Sequence, residues 1–241
     1  MSKELKVTKA IIFSAGLGTR FKPWTDKHPK ALALVNGKSL LQRNIEYLQG
    51  FAINKVIINV HHFAEQIIDA VTENNGWGSS VSFSDETDAV LETGGGLKRA
   101  AHYFEGVEHF ILMNADILTD LNIAKMYEQH CQQQSLATLA VTERKTSRYL
   151  LFNDSHMLCG WKNDNTGQVK GLNGIKKAFS GIQIIDTSLL PMITDEGKFS
   201  IIDIYLKLCG QQKLMAYDHS NGLLQDVGKP ESILAAEKIF L

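Results

Sequence analysis

Short apolar runs rich in β-branched residues alternate along this chain with longer stretches of helical spacing. KAIIFS (9–14), KVIINV (55–60) and HFILMN (109–114) read as strands buried on both faces, because none alternates apolar with polar positions as a half-exposed strand does. SLLQRNIEYLQ, Ser39 to Gln49, spaces its apolar residues as a helix does, with Ser39 placed to cap it and Gly50 to stop it. Ala64 to Thr72 predicts the next helix and SVSFS a strand. ETGGGLKRAAHYF predicts a helix entered through a glycine-rich turn, Leu121 to Gln133 another helix, and LATLAVT a further strand. This rhythm predicts an α/β fold, a mostly parallel sheet with helices on both faces. Ligands of such sheets bind beyond the carboxyl ends of the strands. Three segments rich in glycine or acid fall there: the first loop, the ETGGG turn and NADILTD.

From Ser147 to Gly174 the texture changes. Short strand-like pieces, RYLLF and HMLCGW, alternate with the turn signals NDS and KNDNTGQ, as in antiparallel hairpins. AFSGIQIID, FSIIDIYLKLC, KLMAYD and GLLQDVG return to strand and helix, and Glu231 to Phe240 predicts a closing helix. With no repeat, linker or low-complexity tract, residues 1–241 read as one domain carrying a β-rich insertion at about 147–176.

The totals narrow the partners. A chain of 241 residues with 44% hydrophobic and 21% charged content buries an ordinary globular core. A net charge of -1 points to neither nucleic acid nor an anionic membrane, so any phosphate must be held by locally placed cations and N–H groups. Cys131, Cys159 and Cys209 are widely spaced, and MSKELKVTKA has no apolar leader core, so the cytoplasm is the expected compartment.

SAGLGTRFKPWTDKHPKAL, Ser14 to Leu32, is the most pointed segment. Gly16 and Gly18 give G-x-G, but Phe21 replaces the third glycine of a dinucleotide fingerprint. KVIINV is followed by His61 and His62 instead of the acid that would hold a ribose, and no G-K-[ST] occurs. An NAD-dependent oxidoreductase and a P-loop enzyme are thereby excluded. The glycines let backbone N–H groups approach a phosphate, Arg20 can fork onto two of its oxygens, and Lys30 adds a second cation. Pro23 and Pro29 stiffen the loop. Lys22 and Lys27 read as solvated, and Trp24, Trp77 and Trp161 as packing residues.

In register and without a gap, Gly16, Gly18, Thr19, Arg20, Pro23, Thr25, Pro29 and Lys30 match (A/G)AGxGTRhxPhTxxxPKxh, where h is apolar. The loop resembles the signature of sugar-1-phosphate nucleotidyltransferases. Ser14 departs from the usual Ala or Gly. The resemblance runs from Lys9 to the closing helix and implies a Rossmann-like domain without the β-helix some relatives carry. It implies that an NTP and a sugar 1-phosphate give an NDP-sugar and pyrophosphate. It also implies Mg²⁺ held by Asp116 and Asp226, although Ala115, Gln225 and Lys229 depart from the usual neighbours.

The same resemblance implies catalytic roles for Arg20, Lys30 and Asp116. It assigns the nucleotide to Ala15, Gly16, Gly18, Thr19, Arg20, Glu86, Thr93, Gly94 and Gly95. LETGGG, Leu91 to Gly96, is similar to the family's L-G-T-A-G segment, and uridylyltransferases acting on N-acetylmuramate 1-phosphate carry LETGGG itself. A glycine-rich helix start offers free N–H groups and lets a base pack closely; an ordinary start with Thr93 as cap is the alternative. On the sugar-phosphate side stand Asn114, Ser180 and Gly181, the last two in AFSGIQIID, which resembles F-x-x-G-I and equally fits a buried strand. The family's E-K pair is absent, and Arg148 replaces its lysine on charge alone.

UTP with N-acetylmuramate 1-phosphate, a cell-wall recycling step, is the leading pair, followed by GTP with mannose or heptose 1-phosphate. A non-catalytic nucleotide-sugar sensor is the rival from another class, and intact Arg20, Lys30, Asp116 and Asp226 argue against it. A monomer or small homo-oligomer is expected.

Overall fold

The computed structural model describes residues 6–241, so part of the N-terminal segment read above lies outside the described residues. In chain order come β1 (Lys9–Phe13), a small hairpin of β2 (Leu34–Val35) and β3 (Lys38–Ser39), α1 (Leu40–Gln49), β4 (Lys55–Val60), α2 (Ala64–Glu73), β5 (Ser80–Asp85) and α3 (Glu92–Ala100). Next are β6 (His109–Asn114), β7 (Ile117–Thr119), α4 (Ile123–Gln133), β8 (Ala137–Thr142), β9 (Arg148–Phe152), β10 (Leu158–Asn163), β11 (Val169–Gly171) and β12 (Ile175–Asp186). The chain ends with α5 (Ile201–Leu208), β13 (Leu214–Asp218), β14 (Leu224–Asp226) and α6 (Glu231–Ile239).

β6, β1, β4 and β5 pair in parallel in that order, and the remaining strands of the main sheet extend from β12. Apolar runs without alternation do form strands buried on both faces. Ala10, Ile12, Val56, Ile58 and Met113 pack into one cluster with Leu41, Ile45, Ile67 and Met126 of α1, α2 and α4. Their sequence neighbours Ile11, Ile57 and Leu112 enter a second cluster with Leu97, Ile201 and Tyr205 of α3 and α5. Helices therefore cover both faces, as the alternation of elements requires.

Element ends differ where a side chain intervenes. α4 begins at Ile123 and not Leu121, because Asn122 stays extended and its side chain accepts from Lys125 N–H at 2.9 Å. The segment after ETGGG leaves α-geometry at Ala101 and finishes as a 3₁₀ turn, Ala101–Phe104. The first loop contains the 3₁₀ turns Thr19–Phe21, Trp24–Asp26 and Lys30–Leu32.

β12 runs antiparallel to three strands: β9 at its start, β8 along its length and β6 at its end. Its register with β8 shifts between Phe179 and Gln183, a bulge containing Gly181 at φ 74°. β9, β10 and β11 form an antiparallel meander on its first half. Ala178 is paired with Thr142, so the chain leaves the main sheet and re-enters it at neighbouring positions. No described helix is long and apolar enough to cross a membrane.

Candidate functional site

Phe13 is in register with Asn59 of β4 on one side and Asn114 of β6 on the other. The loop starting at Ser14 thus emerges where the strand order reverses, the position at which doubly wound sheets bind ligands. A cleft of about 500 Å³ opens there, lined by Ala15, Gly16, Gly18, Thr19, Glu86 and Thr93 among others.

Asn59 organises the floor. Its side-chain oxygen accepts from the N–H of Ser14 at 2.6 Å and of Ala15 at 3.2 Å, while its amide donates to the Glu86 carboxylate at 2.9 Å. His61 holds the other end of Glu86, donating from Nδ1 to its carbonyl at 2.6 Å. Burial pushes the Glu86 carboxyl above its ordinary value, with the Asn59 hydrogen bond opposing.

In the loop, Gly18 has φ 59°, and a side chain there would meet Thr25 Cγ2 at 2.8 Å. The Thr25 hydroxyl donates to the Gly18 carbonyl at 2.9 Å and closes the turn. Phe21 anchors the loop in a small cluster with Leu40, Leu118 and Val227. Lys22 and Lys27 are exposed, and Lys22 pairs with Asp26 at 2.9 Å.

Across the cleft, Lys30 is ion-paired with Asp116, their side chains only 18% and 17% exposed. The turn holding Asp116 is fixed from three sides: Asn44 donates to Ala115 O at 2.8 Å, Ala115 N–H to Phe13 O at 3.0 Å, and Val227 N–H to Asp116 O at 2.8 Å. Because β14 pairs with β7, Asp226 lies opposite Ile117, the residue after Asp116. Asp226 and Arg20 both flank Gly228, where an added Cβ would stand 2.8 Å from Asp226 Oδ1 and 3.1 Å from an Arg20 guanidinium nitrogen. Asp116 and Asp226 supply hard oxygen donors, a set that suits Mg²⁺, which takes one or two carboxylates and completes its shell with water and phosphate oxygens. No group of three or more metal-ligating side chains occurs among the described residues.

The start of α3 corrects one expectation. The N–H groups of Gly94 and Gly95 are not free; both point to the Phe199 carbonyl, at 2.9 and 3.4 Å. Thr93 does not cap α3, since its hydroxyl accepts from Ile201 N–H at 3.0 Å. The glycines permit close packing: a Cβ would lie 2.4 Å from the Phe199 ring at Gly94, 2.3 Å from Gly197 O at Gly95 and 2.6 Å from Glu86 Oε1 at Gly96. Gly94 and Gly95 are buried.

The sugar-side candidates divide. Asn114 lines the cleft, and Gly181 lies against it, with 2.9 Å between its would-be Cβ and Asn114 Nδ2. Ser180 is fully buried and shares a hydrogen bond of 2.8 Å with His219 Nε2, so its hydroxyl is engaged inside the protein. Arg148 lies in a different cavity. Asn59, Glu92, Lys198 and Ser200 belong to the site without having been singled out from the sequence. Asn59 left a trace, the one polar residue inside KVIINV. Lys198 and Ser200 left none, because they reach the cleft only through the contact of Phe199 with α3.

The nucleotidyl transferase family model matches residues 9–150. An N-acetylmuramate alpha-1-phosphate uridylyltransferase from Caulobacter vibrioides is 30% identical over 98% of this chain and 98% of its own length. One from Neisseria meningitidis serogroup B is 33% identical over 91% of this chain and 93% of its own. Among solved structures, HddC from Yersinia pseudotuberculosis complexed with GMP-PN superposes with a TM-score of 0.79 at 25% identity, covering 98% of this chain and 100% of that one.

Proposed function

This chain belongs to the nucleotidyl transferase family, and from that premise we propose that it transfers the uridylyl group of UTP to N-acetylmuramate 1-phosphate. The observation that carries nucleotidyl transfer is the meeting of the Gly16–Lys30 loop with Asp116 at the reversal of strand order. Full-length similarity to two uridylyltransferases of that sugar phosphate supports the base and the sugar.

A phosphate oxygen of the sugar 1-phosphate attacks the α-phosphorus of UTP in line. The bond from the α-phosphorus to the bridging oxygen breaks, and pyrophosphate leaves with the electron pair. The attacking phosphate is already anionic at neutral pH, so no side chain need remove a proton. Catalysis is positioning and charge neutralisation. The N–H groups of the Gly16–Thr19 turn and the Arg20 guanidinium hold the β- and γ-phosphates, Lys30 faces the α-phosphate, and Asn114 faces the sugar phosphate. Asp116 and Asp226 would hold Mg²⁺, which when bound neutralises charge on the triphosphate. Three free cysteines suit the cytoplasm, where a cell-wall recycling step would run, in a monomer or small homo-oligomer.

Pyrophosphate release from the purified protein tests this, with UTP, GTP, CTP and dTTP each offered N-acetylmuramate, mannose, heptose and glucose 1-phosphates. Release is expected with UTP and the muramate sugar, and is lost on chelation of Mg²⁺. Release with GTP and mannose or heptose phosphate would establish the second reading, which the GMP-PN complex of the Yersinia protein supports. Nucleotide binding without turnover on any pair would overturn transfer in favour of a sensor.

A further inference from the structure

Beside the main cleft lies a second cavity of about 350 Å³, between the β9–β10 hairpin, the first half of β12 and the start of α5. Ser200 lines both. The order of the sheet puts Asn59 and Glu86 on the β4–β5 side of the main cleft and this second cavity on the β12 side, away from them.

Its charge is unlike that of the chain as a whole. Arg144, Arg148 and Lys170 line it against a single carboxylate, Asp203, while the whole protein carries a net charge of -1. Asp203 is occupied, paired with Lys170 at 2.9 Å. Arg144 donates to Phe179 O at 3.0 Å, yet its buried Nε has no partner among the described residues. The Arg148 guanidinium makes no hydrogen bond or ion pair with any described residue. Buried donors left unmatched are costly, and like charges gathered in one concavity repel unless an anion joins them. Tyr149 and Trp161 supply an apolar wall. Planar guanidinium forks beside such a wall suit a carboxylate on a short carbon stem better than a bare inorganic ion.

We infer that this second cavity seats a carboxylate carried by the sugar, making Arg144 and Arg148 the residues that select an acidic sugar 1-phosphate. The assignment rests on the main cleft being a sugar-1-phosphate nucleotidyltransferase site. It extends that reading by naming the group that distinguishes the sugar.

The test compares kcat/KM for acidic and neutral partners that are otherwise alike. One pair is N-acetylmuramate and N-acetylglucosamine 1-phosphates; the other is glucuronate and glucose 1-phosphates, all with the nucleotide that turns over. The wild type is expected to favour the acidic member of at least one pair. Arg148→Gln, at an exposed residue without internal side-chain partners, is expected to cut that preference about 10- to 100-fold, the usual effect of losing a charge-assisted hydrogen bond, while the neutral sugar's kcat/KM stays put. Arg148→Glu is expected to lower it further. A preference for glucuronate abolished by Arg148→Gln, with muramate unused, would uphold the carboxylate seat and overturn only the muramate assignment. Equal or greater activity on both neutral sugars, or an Arg148→Gln protein with its acidic-to-neutral ratio unchanged, would overturn the inference while leaving nucleotidyl transfer standing.

Discussion

Lys30 and Asp116 neutralise each other across the cleft, and the roles proposed for them need both charges in place. Lys30→Ala and Arg20→Ala are each expected to lower kcat about 10²-fold or more, as loss of a transition-state charge partner does, with the fold intact by circular dichroism. Asn59→Ala has a different expected signature. It removes the acceptor for Ser14 and Ala15 and the donor to Glu86. It should cost about 1–3 kcal/mol in urea unfolding and raise KM for the nucleotide. That Lys30 and Asp116 share the cleft was legible in the sequence, because the loop carrying Lys30 and the turn carrying Asp116 each follow a buried strand of the same parallel sheet, whose carboxyl ends face one side. Ser180 was legible as a residue and not as a direction: an F-S-G run does not reveal that His219, from a strand end far along the chain, engages its hydroxyl.

At the scale of elements, α3 shows how packing reverses a propensity. Alanine improves a helix over glycine by about 1 kcal/mol, yet a methyl on Gly94 would lie 2.4 Å from the Phe199 ring and 2.9 Å from its carbonyl oxygen. Gly94→Ala is therefore expected to destabilise the protein by about 1–3 kcal/mol, measured by urea unfolding. The glycines of LETGGG announced that space was needed; what fills it came from a segment about a hundred residues later, invisible to local reading. α4 offers a pH test. His130 on its inner face is buried, bonded through Nδ1 to the Thr138 hydroxyl at 2.8 Å. Burial lowers its pKa from 6.5 to about 4, with nearby His109 pulling the same way. The unfolded chain then binds the proton first, so this share of stability is full above pH 6.5 and is lost as pH falls toward 4. It amounts to on the order of 2 kcal/mol between pH 7 and 4.5. Thermal melts across that range should show a shallower pH slope for His130→Gln than for the wild type; equal slopes would refute the assignment.

Over the whole molecule, the apolar clusters on the two faces share the strands between them, and β12 is hydrogen-bonded to β6, β8 and β9 alike. Unfolding is therefore expected as one cooperative transition, with far-UV ellipticity and tryptophan fluorescence tracing the same urea curve; Trp161 of the meander would report separately if that part melted alone. The parallel strands β1, β4 and β6 were readable from their unbroken apolar runs. The antiparallel entry of β12 was not, because an apolar strand pattern carries no direction and its partners β6, β8 and β9 come from distant parts of the chain. One consequence lies in the pairing of Thr142 with Ala178. An excursion whose two ends are already neighbours can change length or content with little loop-closure penalty. The segment between them holds Arg144, Arg148 and Lys170, whereas Lys30, Asp116 and Asp226 all lie outside it. On the assignment proposed above, the arginines that would read the sugar lie in this excursion while the groups that would handle the phosphates do not, so a different meander grafted between those two positions is expected to move the sugar preference and leave the phosphate site intact.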